Sequence, residues 1–267
     1  MSAFTLSHQN AILPLSLADC EYVDISAALS SWRSLSNSEQ RLQQSCAVQK
    51  AWDGIIASVV QASLLARAKS SLDQARLRSA CAEHSGDWLR APPITAVELR
   101  LTDEMIQISV DTRLGARTCE PHTCSCGKAI DARGLHVLSC RKSAARHERR
   151  SHLNDLVWRA IKGAQILSVK ETLGLCRDDR NRPDGVTLIP WLRGKILAWD
   201  VTVVDTFTQS HTGNTSSLAR AAANHAATLK TSKYTNINNM NIFVPIAIET
   251  GGVCNQQAIE FIQEVGK

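Results

Sequence analysis

Four potential metal ligands are crowded into one short stretch of this 267-residue chain. Cys124 and Cys126 are separated by one residue, and His136 and Cys140 follow closely. Thiolate sulfur and imidazole nitrogen are the ligands that zinc takes in tetrahedral structural sites. Because four protein ligands leave no open coordination position, the spacing predicts a structural zinc ion rather than a catalytic one.

The identity of the first zinc ligand is open at this stage, because Cys119 and His122 lie close enough in sequence to replace Cys124. Gly127 directly follows the second cysteine and permits the tight turn that such a loop needs. A loop this small cannot build its own core, so metal binding must supply folding free energy of roughly 10–16 kcal/mol. The other interpretation is that reduced cysteines fall in one loop by coincidence.

Two aspartates form a second set of residues that could do chemistry. Asp184 follows Arg182-Pro183 at the start of one predicted strand, and Asp200 lies within the next, KILAWDVTVVD. Asp200 is flanked by apolar residues, and a buried carboxylate is costly unless it is paired or binds a cation. Two hard oxygen ligands on adjacent strands suit Mg²⁺. The alternative makes Asp184 a turn cap and pairs Asp200 with an arginine.

A predicted helix after these strands carries Lys230, Lys233 and Tyr234 on one face. Phosphodiester hydrolysis needs a metal that polarises phosphate and water, and a cation that stabilises the charged transition state. A lysine near two metal-binding carboxylates would meet the second need, although either lysine alone could be a solvated surface residue. Glu171, on the preceding strand, is a candidate third acid or an exposed charge at the strand end.

The excess positive charge of the chain is concentrated in one segment. From Arg113 to Arg159 ten basic residues accompany four acidic ones, a net charge of +6, whereas the whole chain carries +5. Such a basic segment is typical of a protein with a polyanion partner, although a solvated helix face has the same composition. The predicted helix after the cysteine cluster carries five candidate DNA-binding residues: Arg141, Lys142, Arg146, Arg149 and Arg150.

The elements that must position these residues change along the chain. Residues 1–112 show helical periodicity without visible chemistry, residues 113–150 hold the cysteine cluster and the start of the basic helix, and residues 151–267 alternate strands with helices. This alternation predicts an α/β fold with a mixed sheet flanked by helices on both faces. A hydrophobic content of 44% excludes a mostly disordered chain. We expect an intracellular protein, because no apolar run could span a membrane and no signal peptide is visible.

These motifs together resemble a known family. RPDGVTLIPW followed by WDVTVVDT, behind a CxCG–H–C knuckle, resembles the C-terminal region of non-LTR retrotransposon polyproteins. That region carries a zinc knuckle and a restriction-like endonuclease of the PD-(D/E)xK superfamily. The resemblance covers about Gly115 to Gly266, and weaker similarity to the linker after the reverse transcriptase reaches back to about Trp52. Residues 1–50 are not covered, although the helical region 1–112 as a whole is interpreted as linker-like.

The resemblance implies a restriction-endonuclease-like fold in residues 151–267 and metal-dependent nicking of DNA. It assigns metal binding to Asp184 and Asp200, gives Lys230 the role of the displaced catalytic lysine, and matches Lys233-Tyr234 to the neighbouring lysine-tyrosine pair. It further implies Zn²⁺ as a structural cofactor, Mg²⁺ as the catalytic one, DNA as the partner with RNA as a second candidate, no membrane partner, and a nuclear location.

The sequence departs from the family pattern at two points. Thr202 stands where the superfamily has its strand lysine, so catalysis would depend on Lys230. The Tyr/Phe-x-Asp-Asp motif of a reverse transcriptase does not occur in this chain. The main alternative is a catalytically inactive, zinc-dependent nucleic-acid-binding remnant of such an element. A zinc-stabilised interaction module without a nucleic-acid partner fits less well, because it leaves the basic segment without a role.

Overall fold

The computed structural model describes six ranges of the chain: residues 25–36, 49–97, 99–143, 145–170, 182–235 and 241–267. The chain divides into two compact units, Met1–Ala68 and Lys69–Lys267. The first unit contains helices α1 (Ile25–Ser36) and α2 (Gln49–Arg67), which pack against each other. Within the described ranges, no helix is both long and apolar enough to cross a membrane.

The second unit opens with helices α3 (Ser71–Cys81) and α4 (Asp103–Leu114). α4 begins directly after Thr102, whose side chain caps the helix by accepting a hydrogen bond from the Met105 N–H. α3 packs against a helix of the C-terminal half of the chain that begins after residue 208.

The division of the chain at residues 112 and 150 stays a prediction. Two short 3₁₀ helices, Asp87–Arg90 and Thr95–Val97, connect α3 to α4.

The cysteine-rich stretch folds into a small antiparallel ribbon followed by one helical turn. Strand β1 (His122–Thr123) pairs with strand β2 (Ala129–Ile130), and helix α5 (His136–Ser139) follows. Residues 119–140, which include these elements, are called the knuckle below.

Helix α6 (Ala145–Gly163) begins later than the sequence suggests. The predicted helix starts at Arg141, but the chain turns after Cys140, where the Ser143 N–H donates to the Cys140 carbonyl at 3.1 Å. Arg141 and Lys142 therefore lie in this turn, and the other three predicted DNA-binding residues lie in the first two turns of α6.

Four strands form the main sheet in the order β3-β4-β5-β6. Both β3 (Ser168–Lys170) and β5 (Leu197–Val204) are antiparallel to β4 (Gly185–Thr187), whereas β6 (Ile242–Glu249) is parallel to β5. The predicted α/β class with a mixed sheet is therefore confirmed.

Among its described residues, the second unit also contains helices α7 (Gln209–Thr215), α8 (Ala221–Lys233) and α9 (Gln256–Val265). The predicted helix that carries Lys230 is α8, and it starts after Arg220, which takes a left-handed backbone conformation with φ 70°. α8 provides the crossover that the parallel pair β5–β6 requires.

Alternate residues of β5 face two different layers. Leu197, Trp199 and Val201 are fully buried in the main core with residues of α6, β6 and α9. Ala198 and Asp200 point to the opposite face, where α8 packs. This alternation follows from the two-residue period of a strand, and it places one carboxylate beneath α8.

The outer edge of β6 is closed by the residue that caps α9. Asn255 is 1% exposed, its Oδ1 accepts from the Ala247 N–H at 2.8 Å, and its Nδ2 donates to the Pro245 carbonyl at 3.1 Å. Pro245, which is opposite Asp200 in the parallel register, has no N–H to leave unpaired. Among the described strands β6 is the last of the sheet, and these contacts satisfy outer backbone groups at its middle.

Candidate metal centre and candidate active site

The knuckle brings four soft ligand atoms together. The Sγ atoms of Cys124, Cys126 and Cys140 and a ring nitrogen of His136 all lie within 4.8 Å of one another. The sulfurs of Cys124 and Cys140 are 3.6 Å apart, and the Cys126 sulfur is 3.1 Å from His136 Nε2. Tetrahedral zinc with Zn–S bonds of about 2.3 Å places two sulfurs about 3.8 Å apart, so the donor set and its spacing fit a zinc ion.

The two alternative first ligands lie elsewhere in the loop. The Cys119 sulfur contacts the Asp131 carbonyl at 3.4 Å, and His122 Nδ1 contacts the Glu120 carbonyl at 2.8 Å. Neither belongs to the cluster of possible ligands that the described residues form. Of the three candidates for the first zinc ligand, the structure therefore favours Cys124.

Local backbone contacts hold the first two ligands in place. The Cys124 N–H donates to the Lys128 carbonyl and the Gly127 N–H donates to the Cys124 carbonyl, both at 2.8 Å. Gly127 closes this turn with φ +87°, a conformation that side chains with a Cβ rarely adopt. The backbone N–H of Cys126 lowers the pKa of the Cys124 thiol to about 6, which favours the thiolate that metals bind.

Asp200 is the centre of the second site. Its side chain is 1% exposed, and it is surrounded by donors. Lys230 Nζ lies 2.7 Å from Asp200 Oδ1, and the Tyr234 hydroxyl lies 2.6 Å from Asp200 Oδ2 and 2.6 Å from the Arg182 carbonyl. Burial, together with the negative charge of Asp200, raises the pKa of Tyr234, so its hydroxyl keeps its proton and can donate.

Asp184 reaches the same site from the start of β4. Its Oδ2 accepts the Val201 N–H at 2.7 Å, and its Oδ1 accepts from Arg150 Nη2 at 2.8 Å. Burial and the negative charge of nearby Asp200 raise the pKa of Asp184, which indicates two carboxylates close enough to repel each other. The structure therefore brings Asp184, Asp200 and Lys230 together, as the sequence predicts.

Arg150 spans both carboxylates. Its Nη2 is 2.8 Å from Asp184 Oδ1 and 3.4 Å from Asp200 Oδ1, and its Nε donates to the Val201 carbonyl at 2.9 Å. Burial lowers the pKa of Arg150, but the negative charges of Asp184 and Asp200 outweigh it and raise the pKa overall. The sequence assigned Arg150 to a DNA-binding face, and the structure places it within the carboxylate site.

The helix that carries Lys230 is fixed at its other end by a buried glutamate. Glu249 is 2% exposed, and its Oε1 accepts from the N–H groups of Ala222 and Ala223 at 3.0 and 3.1 Å. Its Oε2 accepts from the Thr206 hydroxyl at 3.1 Å. A carboxylate is favourable at this position because the first N–H groups of a helix have no partner within the helix.

The remaining predicted residues lie away from the carboxylates or outside the described ranges. Lys233 is exposed, with its Nζ 5.0 Å from the centre of the Tyr234 ring. Glu171 lies outside the described residues, so its candidate role stays a prediction. Thr202, at the position of the family's strand lysine, has a buried Oγ1 without a hydrogen-bond partner among the described residues.

Sequence reasoning missed two contacts of this site. The Tyr234 hydroxyl donates a hydrogen bond to Asp200. The sequence contained a signal for this contact, because Lys230 and Tyr234 are four residues apart and share a helix face. The position of Arg150 carried no local signal, because its two partners are 34 and 50 residues away in the chain.

No protein-family model matches the chain, and no curated protein sequence matches it. The two sites are therefore interpreted from their own residues and geometry.

Proposed function

We propose that this protein is a metal-dependent DNA endonuclease of the restriction-like type, derived from a non-LTR retrotransposon and stabilised by a structural zinc ion. One observation carries the proposal: Asp184, Asp200 and Lys230, which come from two strands and a helix, meet at one site. Here two cations and two carboxylates converge next to a basic segment.

The carboxylates are suited to hold Mg²⁺. Both oxygens of Asp184 and Oδ2 of Asp200 each accept one hydrogen bond and keep a second lone pair, whereas Asp200 Oδ1 already accepts from Lys230 and Arg150. Hard oxygen ligands are those that Mg²⁺ prefers. When bound there, Mg²⁺ would polarise a phosphate oxygen and lower the pKa of a water molecule. Arg150 now pairs with both carboxylates, so metal binding would require it to give up at least one of these contacts.

Lys230 and Tyr234 supply the remaining chemistry. Lys230 reaches the site from the last turn of α8 and would stabilise the negative charge that develops on the phosphate. Tyr234 holds Asp200 Oδ2 and so fixes the orientation of the carboxylate. The knuckle belongs to the proposal as a structural zinc site, because its four ligands close the coordination shell.

Nicking of supercoiled plasmid DNA in Mg²⁺ or Mn²⁺ tests the proposal. Asp184→Asn and Asp200→Asn should each abolish nicking, because each removes a metal ligand. Lys230→Ala should slow nicking roughly 10²- to 10³-fold, the usual loss for one donor to the transition state.

Asp155, which lies farther along α6, provides a matched control. Its Oδ1 is 2.6 Å from Lys170 Nζ. Asp155→Asn makes the same change of charge outside the site and should nick like the parent. The proposal is wrong if the parent nicks no DNA in any divalent metal, or if both site variants nick as fast as the parent.

A second candidate function is a nucleic-acid-binding remnant without catalysis. The observation in its favour is that Arg150 and Lys230 already neutralise the two carboxylates, which suffices for a structural ion-pair network. This candidate predicts DNA binding without nicking, and binding that is unaffected by Mg²⁺.

A further inference from the structure

A basic cleft lies beside the carboxylate site, between the knuckle, the start of α6 and the end of β5. It has a volume of about 330 Å³ and is lined by three arginines, Arg141, Arg146 and Arg149, together with Ser210 and His211 of α7. One carboxylate also lines it, but Asp205 Oδ1 already accepts from the Thr250 hydroxyl and the Phe207 N–H. The cleft therefore carries an excess of positive charge.

Arg149 shows that this charge is not fully satisfied within the protein. Its Nη2 donates to the Leu138 carbonyl at 2.6 Å, which anchors the guanidinium to the knuckle. Its Nε is buried and has no hydrogen-bond partner among the described residues. Buried donors usually have partners, so Arg149 keeps hydrogen-bonding capacity at the wall of the cleft that the described residues do not use.

The cleft and the carboxylate site are neighbours along one helix. Arg150 reaches the carboxylates, and Arg146, four residues earlier on α6, lines the cleft. Four helical residues span about 6 Å along the helix axis. Phosphates of one DNA strand rise about 3.4 Å per nucleotide, so this distance corresponds to one or two nucleotides.

We propose that the cleft binds a backbone phosphate of DNA one or two nucleotides from the phosphate at the carboxylate site. This inference rests on the proposed function, because the carboxylate site defines where the cut phosphate lies. Arginines bind phosphate through charge-assisted hydrogen bonds, and the hydroxyl of Ser210 can add a neutral donor. The cleft would fix the register of the strand without reading its sequence.

Binding to a fluorescent DNA duplex in EDTA tests the cleft without cleavage. Arg146→Gln should weaken binding about tenfold and lower the salt dependence by about one phosphate contact. Ser210→Asp, which places a negative charge in the cleft, should weaken binding at least as much. Zinc content and circular dichroism equal to those of the parent verify that each variant is folded.

Two matched controls lie outside the cleft. Lys162→Gln removes one charge from the other end of the same helix, and Ser217→Asp adds the same exposed acid after α7. Both should bind DNA within about twofold of the parent. If the two cleft variants bind DNA as tightly as these controls, the cleft is not a phosphate site.

A second measurement places the phosphate relative to the cut. Single phosphates around a mapped nick are replaced by neutral methylphosphonates, and nicking is measured with the parent and with Arg146→Gln. A replacement one or two nucleotides from the nick should slow nicking by the parent about tenfold. The same replacement should leave the nicking rate of Arg146→Gln unchanged, because the variant has already lost this contact. Equal effects on both proteins at every position would overturn the inference. A parent that binds DNA through the cleft yet never nicks would overturn the proposed nuclease and leave the cleft as a phosphate site.

Discussion

The knuckle and the carboxylate site are built in opposite ways. The four knuckle ligands lie between residues 124 and 140, so the chain itself keeps them near one another. The carboxylate site gathers Asp184, Asp200, Lys230 and Arg150 from β4, β5, α8 and α6, and only the packed sheet holds them together. We therefore expect the first site to depend on a bound ion and the second to depend on the packed core.

This difference decides which perturbation should affect each site. Removing an ion should unfold the knuckle and leave the sheet intact. Disturbing the packing of β4 against β5 should scatter the carboxylates and leave the zinc ligands in place. The predictions below separate the two cases.

Zinc removal should have the largest effect, because a small metal-bound loop owes roughly 10–16 kcal/mol of apparent binding free energy to its ion. After chelation, amide hydrogen exchange in residues 119–140 should become fast, while β5 and β6 stay protected. Cys140→Ser should reproduce the result, and Cys119→Ser should retain the metal and serve as the control. Slow exchange in the knuckle of metal-free protein would contradict this prediction.

Gly185→Ala should be the most damaging single change to the carboxylate site. A Cβ at Gly185 would overlap the indole of Trp199, which is fully buried, so the strand that begins after Asp184 would have to shift. Overpacking of this kind costs about 1–3 kcal/mol or more in the free energy of unfolding. Urea unfolding measures this loss.

Gly163→Ala is the matched control for that change, since a Cβ at Gly163 meets no atom of the described residues within 4 Å. It should be neutral or stabilising by up to about 1 kcal/mol, because alanine favours helix. Zinc content should be unchanged in both glycine variants. Loss of zinc from Gly185→Ala would show that the two sites are coupled.

Tyr234→Phe should have a smaller effect on stability. The change leaves Asp200 Oδ2 without its hydroxyl donor in a buried position, and an unsatisfied buried acceptor costs about 1–3 kcal/mol. Thermal unfolding should show this loss. Thr228→Ala deletes an exposed hydroxyl from the same helix and should change stability by less than about 0.5 kcal/mol. Equal stability of the two variants would show that the Tyr234 hydroxyl does not stabilise Asp200.

Lys233→Ala should have the smallest effect of the series. Lys233 is exposed and lies over the Tyr234 ring, so its loss should change the free energy of unfolding by about 0.5 kcal/mol at most. Nicking should stay close to the parental rate, in contrast to Lys230→Ala. Equal loss of nicking in both lysine variants would mean that the site recruits Lys233 when DNA is bound.

The difference between the knuckle and the carboxylate site also explains which of their features could be predicted from the sequence. The candidate zinc ligands follow from their spacing, and only the choice of Cys124 over Cys119 and His122 required coordinates. The strand that holds Asp200 was predictable from its β-branched residues and alternation. The meeting of Asp184, Asp200 and Lys230 came from the family resemblance, because spacing gives no distance between separate elements.

The position of Arg150 in the carboxylate site could not be predicted from the local sequence. In the sequence it is one of five similar basic residues, and nothing in its neighbours separates it from Arg149. The helix turns 100° per residue, so Arg149 faces the knuckle and Arg150 faces the sheet. Only the packing of α6 on β5 decides which of the two reaches the carboxylates.

The closed edge of β6 has a consequence for how copies of this protein can meet. A free strand edge offers alternating N–H and carbonyl groups to any strand that comes alongside, which is a common route to aggregation. At the middle of β6 this route is blocked, because Pro245 has no N–H to offer and Asn255 occupies the Ala247 N–H and the Pro245 carbonyl. The middle of β6 therefore offers no free backbone groups through which a second copy could extend the sheet at these positions.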